Sequence, residues 1–265
     1  MPELPEVEII RRELLHPLIG ERIVDIEIYD NKIQIPSEDI LNKVIKDLIR
    51  KGKYLFLIFN DFSSLLFHMG MTGSLIYIQA KDNLRFQRVF VTLSAGFIAF
   101  CDARRFGKIK YLTENERKKV MQNLGLDPLL SGYSWNNFER LLINKTLPVK
   151  NFLMNQAWVS GIGNIYASEI LFLSKIHPKK RVNDLTIQEK KLLFDAIPIV
   201  LKQAIQCEGT TIRDYQHTDG SSGFFQNCLQ VYDREGKPCL ACGTPVERIK
   251  MAQRSTYFCP FCQKT

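Results

Sequence analysis

The sequence predicts an α+β chain in which an antiparallel β-domain, a helical domain and a cysteine-bearing terminal segment follow one another. Three observations predict it. Short apolar runs separated by turn residues fill the first half. From about Thr113 the apolar residues recur at helical spacing. From Gln230 the pattern returns to strand character and gathers paired cysteines.

The first element reads as a helix, because Leu4, Val7, Ile10 and Leu14 share one face with Arg11 beside them. Pro5 fits there because the first turn does not use its missing N–H. After Gly20 the segments RIVDIEIYD, KYLFLIF, SLLFHMG, SLIYI, RVFVTLS and GFIAFCD read as strands of an antiparallel sandwich or barrel. The segments ENERKKVMQNLG, SWNNFERLLIN, VKNFLMNQAW, IYASEILFLS and TIQEKKLLFDAIPIVLKQAIQ read as helices, with a kink expected at Pro198. This divides the chain into a β-domain with its N-terminal helix at 1–112, a linker at 113–131, a helical domain at 132–228 and a terminal segment at 229–265. There is no internal repeat and no low-complexity tract.

With 265 residues, 45% of them apolar, the chain can bury one large core or two medium ones, which excludes a disordered class. The formal net charge of +8 favours a polyanionic partner, most simply nucleic acid; a basic enzyme without such a partner is the alternative. No apolar run approaches the roughly 18 residues of a membrane-spanning helix. The opening MPELPEVE is acidic and lacks the basic and apolar regions of a signal peptide, so a cytoplasmic location with reduced thiols is expected.

Of seven cysteines, four fall in the spacing Cys239-x2-Cys242, sixteen residues, Cys259-x2-Cys262. Each CxxC pair offers two thiolates to one tetrahedral ion, and four sulfur ligands leave no open position, so a structural zinc is predicted. Cys101, Cys207 and Cys228 lack such spacing and read as ordinary buried thiols. Such a ribbon could bind DNA, RNA or protein; Arg248, Lys250 and Arg254 within it lean towards nucleic acid.

The blocks MPELPEVE, KYL at 53–55, HMGMTGSL at 68–75, DARRFG at 102–107, GIGNIYASE at 161–169, GTTIRDY at 209–215 and AQRSTYFC at 252–259 carry a resemblance. Together with the ribbon, they make essentially the whole chain similar to the formamidopyrimidine-DNA glycosylase family. The resemblance implies a β-sandwich N-terminal domain, a helix-two-turn-helix domain and a zinc-finger hairpin. It implies a bifunctional glycosylase and AP lyase that removes 8-oxoguanine and formamidopyrimidines from double-stranded DNA as a monomer, with no catalytic cofactor. PELPE at the start favours this purine branch over the endonuclease VIII branch, which usually reads PEGPE.

The resemblance implies that Met1 is removed and that Pro2 is the nucleophile. An α-amine has a reference pKa of roughly 7.7–8.0, against about 10.4 for lysine, so far more of it is free base at neutral pH. Its attack on sugar C1′ gives an iminium directly. By the same resemblance Glu3 is the general acid, which requires burial to offset the helix N-terminus, while Lys53 and Arg254 are phosphate ligands that assist catalysis. Glu6 is expected to complement the helix dipole or join the site, and Glu8, Arg50 and Lys51 are expected to be solvated. Intact Pro2, Glu3 and Lys53 argue against a catalytically silent zinc-ribbon protein.

Met71, Arg104 and Phe106 match the family's intercalating trio, which fills the gap left by an extruded base. By residue type alone Met71 and Phe106 would read as core. Arg104 is expected to bond the orphaned base, Arg105 to meet phosphate, and Asn164 to bind phosphate, cap its helix, or both, with Tyr166 in support. The loop GTTIRDYQHTDGSSGFF resembles the one that covers an extruded guanine. The four histidines show no metal spacing, and His68 reads as structural. The chain departs from the family pattern at Arg85–Val89, where a His-rich stretch is usual, and at Glu208 and Asp233, where glycine is usual.

Overall fold

The computed structural model describes residues 2–210 and 223–264, so most of the glycine-rich loop, with Arg213 and His217, lies outside the described residues. The chain forms two compact units, Met1–Asn123 with Cys207–Phe224, and Leu124–Gln206 with Phe225–Thr265.

The first unit holds α1 (Leu4–Leu18), β1 (Ile23–Ile28), the short α2 (Ser37–Ile40), β2 (Ile45–Lys51), β3 (Tyr54–Phe59), β4 (Ser64–His68), β5 (Gly73–Ile78), β6 (Gln87–Leu93), β7 (Phe97–Asp102), β8 (Lys108–Leu112) and α3 (Glu114–Gln122). Two four-stranded antiparallel sheets result, β1-β6-β7-β5 and β2-β3-β4-β8. One core joins their inner faces to α1: Val7, Ile10, Leu14 and Leu18 meet Ile26, Val91 and Phe100 from one sheet and Leu48, Leu57 and Phe67 from the other. This is the sandwich alternative of the sequence reading. β3 is apolar on both faces because Leu55, Leu57 and Phe59 point into that core, whereas Phe56 and Ile58 point outward to a second cluster with Val120 and Met121 of α3.

Sequence reading missed β2 and β8. In β2 a bulge between Ile45 and Asp47 places the inward residues Ile45 and Leu48 three apart, which hides the two-residue alternation. In β8, KIKYL alternates, but three of its five residues are polar or half-buried.

Three residues expected to be solvated, Glu8, Arg50 and Lys51, are held by partners in this unit. Glu8 and Arg50 are 7% and 6% exposed, not solvated. Arg50 Nε donates to Glu8 Oε2 at 2.9 Å, and Arg11 and Arg12 also bind the Glu8 carboxylate, at 2.9 Å each. Lys51 is likewise held, its Nζ donating to the Met121 carbonyl at 2.7 Å. Burial raises the Glu8 pKa, but hydrogen bonds from Arg11, Arg50 and Arg12 outweigh it and bring it from 4.5 down to about 2. Because the folded value is depressed, this stability is complete above the unfolded pKa and is lost as pH falls from about 4.5 to about 2. Glu8→Gln is expected to cost about 3 kcal/mol at neutral pH, since it leaves Arg50 buried without its anion. Urea melts at several pH values check this: the variant should lack the acid-side loss that the parent shows between those two pKa values.

In the second unit, α4 (Trp135–Leu142), α5 (Val149–Leu153), α6 (Asn164–Leu173) and α7 (Ile187–Gln206) surround an aromatic cluster of Tyr133, Phe138, Phe152 and Phe194. α5 is shorter than its pattern suggests. Asn155 leaves the helix and accepts from the Ala157 N–H at 2.9 Å, and Gln156 bridges the following turns by donating to Ile162 O at 2.7 Å and accepting from Gly161 N–H at 2.8 Å. Those two turns between α5 and α6 make the helix-two-turn-helix element.

The terminal segment contributes one hairpin, β9 (Glu247–Met251) with β10 (Arg254–Phe258). The expected strand at QVYDREG is instead a turn region. Buried Glu169 of α6 accepts three backbone N–H groups there, from Gln230, Val231 and Tyr232, at 2.8–3.1 Å. A carboxylate that absorbs successive N–H groups leaves none for a ladder.

Candidate nucleic-acid and catalytic site

In the first unit the chain enters α1 through Pro2 and Glu3, both buried. Glu3 N–H donates to Glu6 Oε2 at 2.8 Å, and Glu6 Oε1 accepts from Thr210 N–H at 3.0 Å. Glu6 is thus a buried staple between the start of α1 and the 207–210 segment, more than a partner for the helix dipole. Glu3 is 2% exposed, the burial that the sequence reading asks of it.

Lys53 is the second residue of the two-residue β2–β3 turn and is 6% exposed. The turn depends on Gly52, whose φ of 57° lies in the left-handed region. Arg50 Nη1 donates to the Gly52 carbonyl at 3.2 Å while its Nε holds Glu8. Lys53 therefore reaches its place through a side-chain chain that begins on α1. His68, paired with Tyr54 across β3 and β4, is pushed down to about 4 by burial and by the charges of Lys53 and Lys108, so it is neutral at pH 7. Its Nδ1 accepts from Gly70 N–H at 3.2 Å, a structural task.

Met71 and Phe106 stand 38% and 51% exposed, which excludes the core role that their residue types suggest. Arg104 is also exposed, with its guanidinium 5.0 Å from the Phe106 ring centroid. Gly70 is required between them: its φ is 61°, and a Cβ there would sit 2.5 Å from the Phe106 carbonyl carbon. Arg105 is placed differently from Arg104. Its guanidinium is paired with Asp30 and also donates to Asn31 Oδ1, and it holds the Asp30 carboxyl at about 2. Any phosphate contact by Arg105 competes with that pair.

In the second unit Asn164 opens α6, but Gly163 is the N-cap, so the capping alternative for Asn164 does not hold. Asn164 Nδ2 donates to Ser255 O at 3.0 Å, and its Oδ1 accepts from Lys150 Nζ at 2.7 Å. Lys150 is 1% exposed and also donates to Thr256 Oγ1 at 2.6 Å. It ties α5, the start of α6 and β10 together, and sequence reasoning missed it. The only signal was a lysine among the apolar residues of PVKNFL. Tyr166 is 0% exposed and its ring lies 5.7 Å from that of Phe225, so its side chain packs inside the unit, in keeping with the supporting role expected beside Asn164.

Arg254 begins β10 after a two-residue turn in which Ala252 and Gln253 both have positive φ, 45° and 63°. Neither residue favours that region, so the turn carries strain beside an exposed cation.

Cys239, Cys242, Cys259 and Cys262 converge, every Sγ within 4.8 Å of the others. Cys239–Cys262 and Cys242–Cys259 lie 4.0 and 3.5 Å apart. A tetrahedral zinc with Zn–S of about 2.3 Å needs sulfur edges of about 3.8 Å, so the four residues fit it. Of the other three cysteines Cys101 is buried as expected, whereas Cys207 is half-buried and Cys228 exposed.

Comparison with known proteins agrees with this geometry. Residues 1–109 match the formamidopyrimidine-DNA glycosylase N-terminal domain, 124–216 its H2TH domain, and 236–265 the zinc finger found in FPG and IleRS. A formamidopyrimidine-DNA glycosylase of Desulfitobacterium hafniense is 39% identical over 274 residues, covering 99% of this chain and 100% of the relative. A Lactococcus lactis FPG variant in complex with a Fapy-dG containing DNA superposes with a TM-score of 0.92 at 33% identity, and MutM in complex with carbocyclic 8-oxo-G containing DNA with 0.89 at 34%, each covering 100% of both chains. Among the described residues no helix is long and apolar enough to cross a membrane. With both units, the hairpin and the four-sulfur centre matched along its full length, the chain belongs to the formamidopyrimidine-DNA glycosylase family.

Proposed function

We propose that the protein is a base-excision repair glycosylase with AP lyase activity, removing 8-oxoguanine and formamidopyrimidines from double-stranded DNA. The observation that carries this reading is the exposed Met71, Arg104 and Phe106 cluster in the same unit as the buried Pro2–Glu3 start of α1. Apolar side chains held out in solvent beside a guanidinium suit a base stack. A buried start suits a nucleophile that must meet an extruded sugar away from water.

Once Met1 is removed, the Pro2 nitrogen lone pair attacks C1′ and the glycosidic bond breaks, its electron pair leaving with the base, which takes up the proton that the secondary amine sheds. Glu3 protonates O4′ as the sugar ring opens, giving an iminium. The iminium acidifies C2′–H. Loss of that proton expels the 3′-phosphate, and a second elimination expels the 5′-phosphate. Lys53 in the first unit, and Asn164 and Arg254 in the second, each hold a phosphate of the DNA backbone; exposed Arg254 and the half-buried Asn164 have donors suited to it. The zinc supplies no chemistry and braces the hairpin that bears Arg254. The protein acts as a monomer in the cytoplasm, where reduced cysteines keep the metal.

Base release and strand scission on a duplex with one 8-oxoguanine opposite cytosine test this. Free 8-oxoguanine and nicks with phosphate at both ends are expected, and an undamaged duplex should stay intact. Release of oxidised pyrimidines but not 8-oxoguanine would overturn the purine assignment.

A further inference from the structure

Met71 and Phe106 come from separate segments. The 69–73 turn precedes β5, and the 102–107 loop follows β7. Gly73 and Asp102 are register partners in that strand pair, so both segments leave the sheet at one end. The joint between them is polar and runs through two residues to which no role has been given. Asp102 is 1% exposed, and its Oδ1 accepts from the Thr72 hydroxyl and, at 3.2 Å, from Arg104 N–H. Its Oδ2 accepts from Gly107 N–H at 2.6 Å. The Thr72 hydroxyl in turn accepts from Arg104 N–H at 3.1 Å. Arg88 Nε secures the Asp102 carbonyl at 2.8 Å.

We propose that Thr72 and Asp102 are positioning residues that fasten the two segments into one wedge, so that Met71 and Phe106 enter the duplex together with Arg104 at a fixed depth. The inference rests on the proposed role of that trio. A hydroxyl suits the joint because it donates to the carboxylate and accepts from the Arg104 amide at once. Those are the two bonds that tie the residue after Met71 to the backbone that bears the reading arginine. Without the hydroxyl both of these bonds between the segments are lost, and the backbone of Arg104 loses one of its two acceptors.

Single-turnover excision of 8-oxoguanine opposite cytosine and opposite adenine, by the parent, Thr72→Val, Thr72→Ser and Arg104→Ala, tests this. Thr72→Val is expected to slow excision opposite cytosine about tenfold, within the loss that misplacing a group by about 1 Å can cause. It should also shrink the preference for cytosine over adenine at least about threefold, as Arg104→Ala should, because a displaced guanidinium discriminates less. Thr72→Ser keeps both bonds and should stay within about twofold of the parent on both duplexes. Thr72→Ala, which removes the hydroxyl without adding a methyl beside the carboxylate, should repeat the valine result if the valine protein folds poorly. Equal slowing on both duplexes without rescue by serine, or parental behaviour of Thr72→Val, overturns the joint. The Arg104→Ala arm judges the underlying reading separately: an unchanged base preference there removes Arg104 as the reader, whatever Thr72 does.

Discussion

Protein made with one residue that cannot be removed ahead of Pro2 is expected to lose base excision by at least about a thousandfold, as covalent enzymes do when their nucleophile is deleted. The extension turns the Pro2 nitrogen into an amide, whose lone pair is delocalised and cannot attack C1′. Loss should fall on the chemical step. Lys53, Arg254 and the Met71, Arg104 and Phe106 cluster are untouched, so affinity for a duplex with a non-cleavable abasic analogue should hold within a few-fold. Borohydride reduction with an 8-oxoguanine duplex reads the outcome directly. The parent should give a covalent adduct that maps by mass spectrometry to Pro2, and the extended protein none. An adduct on Lys53 formed at the parental rate would make the lysine the nucleophile instead.

Removing zinc should have the largest effect on stability. Structural zinc in zinc-finger peptides contributes about 10–16 kcal/mol of apparent binding energy at pH 7, as large as the whole stability of a typical domain. Cys259 is fully buried, and its backbone N–H is held by Gln263 Oε1 at 2.9 Å while Gln263 Nε2 donates to Ile176 O at 3.0 Å. Collapse of the centre therefore frees the hairpin and its seat near the end of α6. Cys259→Ser is expected to purify without zinc, to melt well below the parent, and to lose DNA binding because Arg254 no longer has a fixed turn. Elemental analysis, melting curves and duplex titration check it. The metal should also be lost as pH falls, because each ligand must shed a proton to bind. A zinc-free Cys259→Ser protein that folded and bound DNA like the parent would show the centre to be dispensable.

The sequence alone named the candidates for the site. Cysteine spacing specified the four-sulfur centre without help from the fold, because two short CxxC turns fix the ligand number and leave the intervening hairpin only to close the loop. Helical and strand periodicity placed α1, β3–β7 and the long helices. Short motifs pointed to Pro2, Glu3, Lys53, Asn164 and Arg254, whose roles now rest on the proposed chemistry. What failed at this level was burial of charge. Glu8, Arg50 and Lys150 look solvated in any window of sequence, since a charged residue is buried only when partners far along the chain arrive to pair with it. Arg50 is 42 residues from Glu8, and Lys150 is 106 from Thr256.

Exposure was settled by the tertiary structure in the opposite direction. Met71 and Phe106 have the side chains of core residues, and nothing local to HMGMTGSL or DARRFG says that they face water. The sheet decides it: Gly73 and Asp102 are the last paired positions at one end of β5 and β7, so the segments beyond them leave the core with their apolar side chains still attached. The Arg104 and Arg105 pair was separated in the same way. Adjacent arginines are equivalent in sequence, but Arg105 adopts a positive φ of 58° that turns it to Asp30 and leaves Arg104 free to face outward. A sequence lists which groups are available. Which of them are dry, paired or held out in solvent depends on contacts between residues tens of positions apart, and only the folded chain makes those contacts.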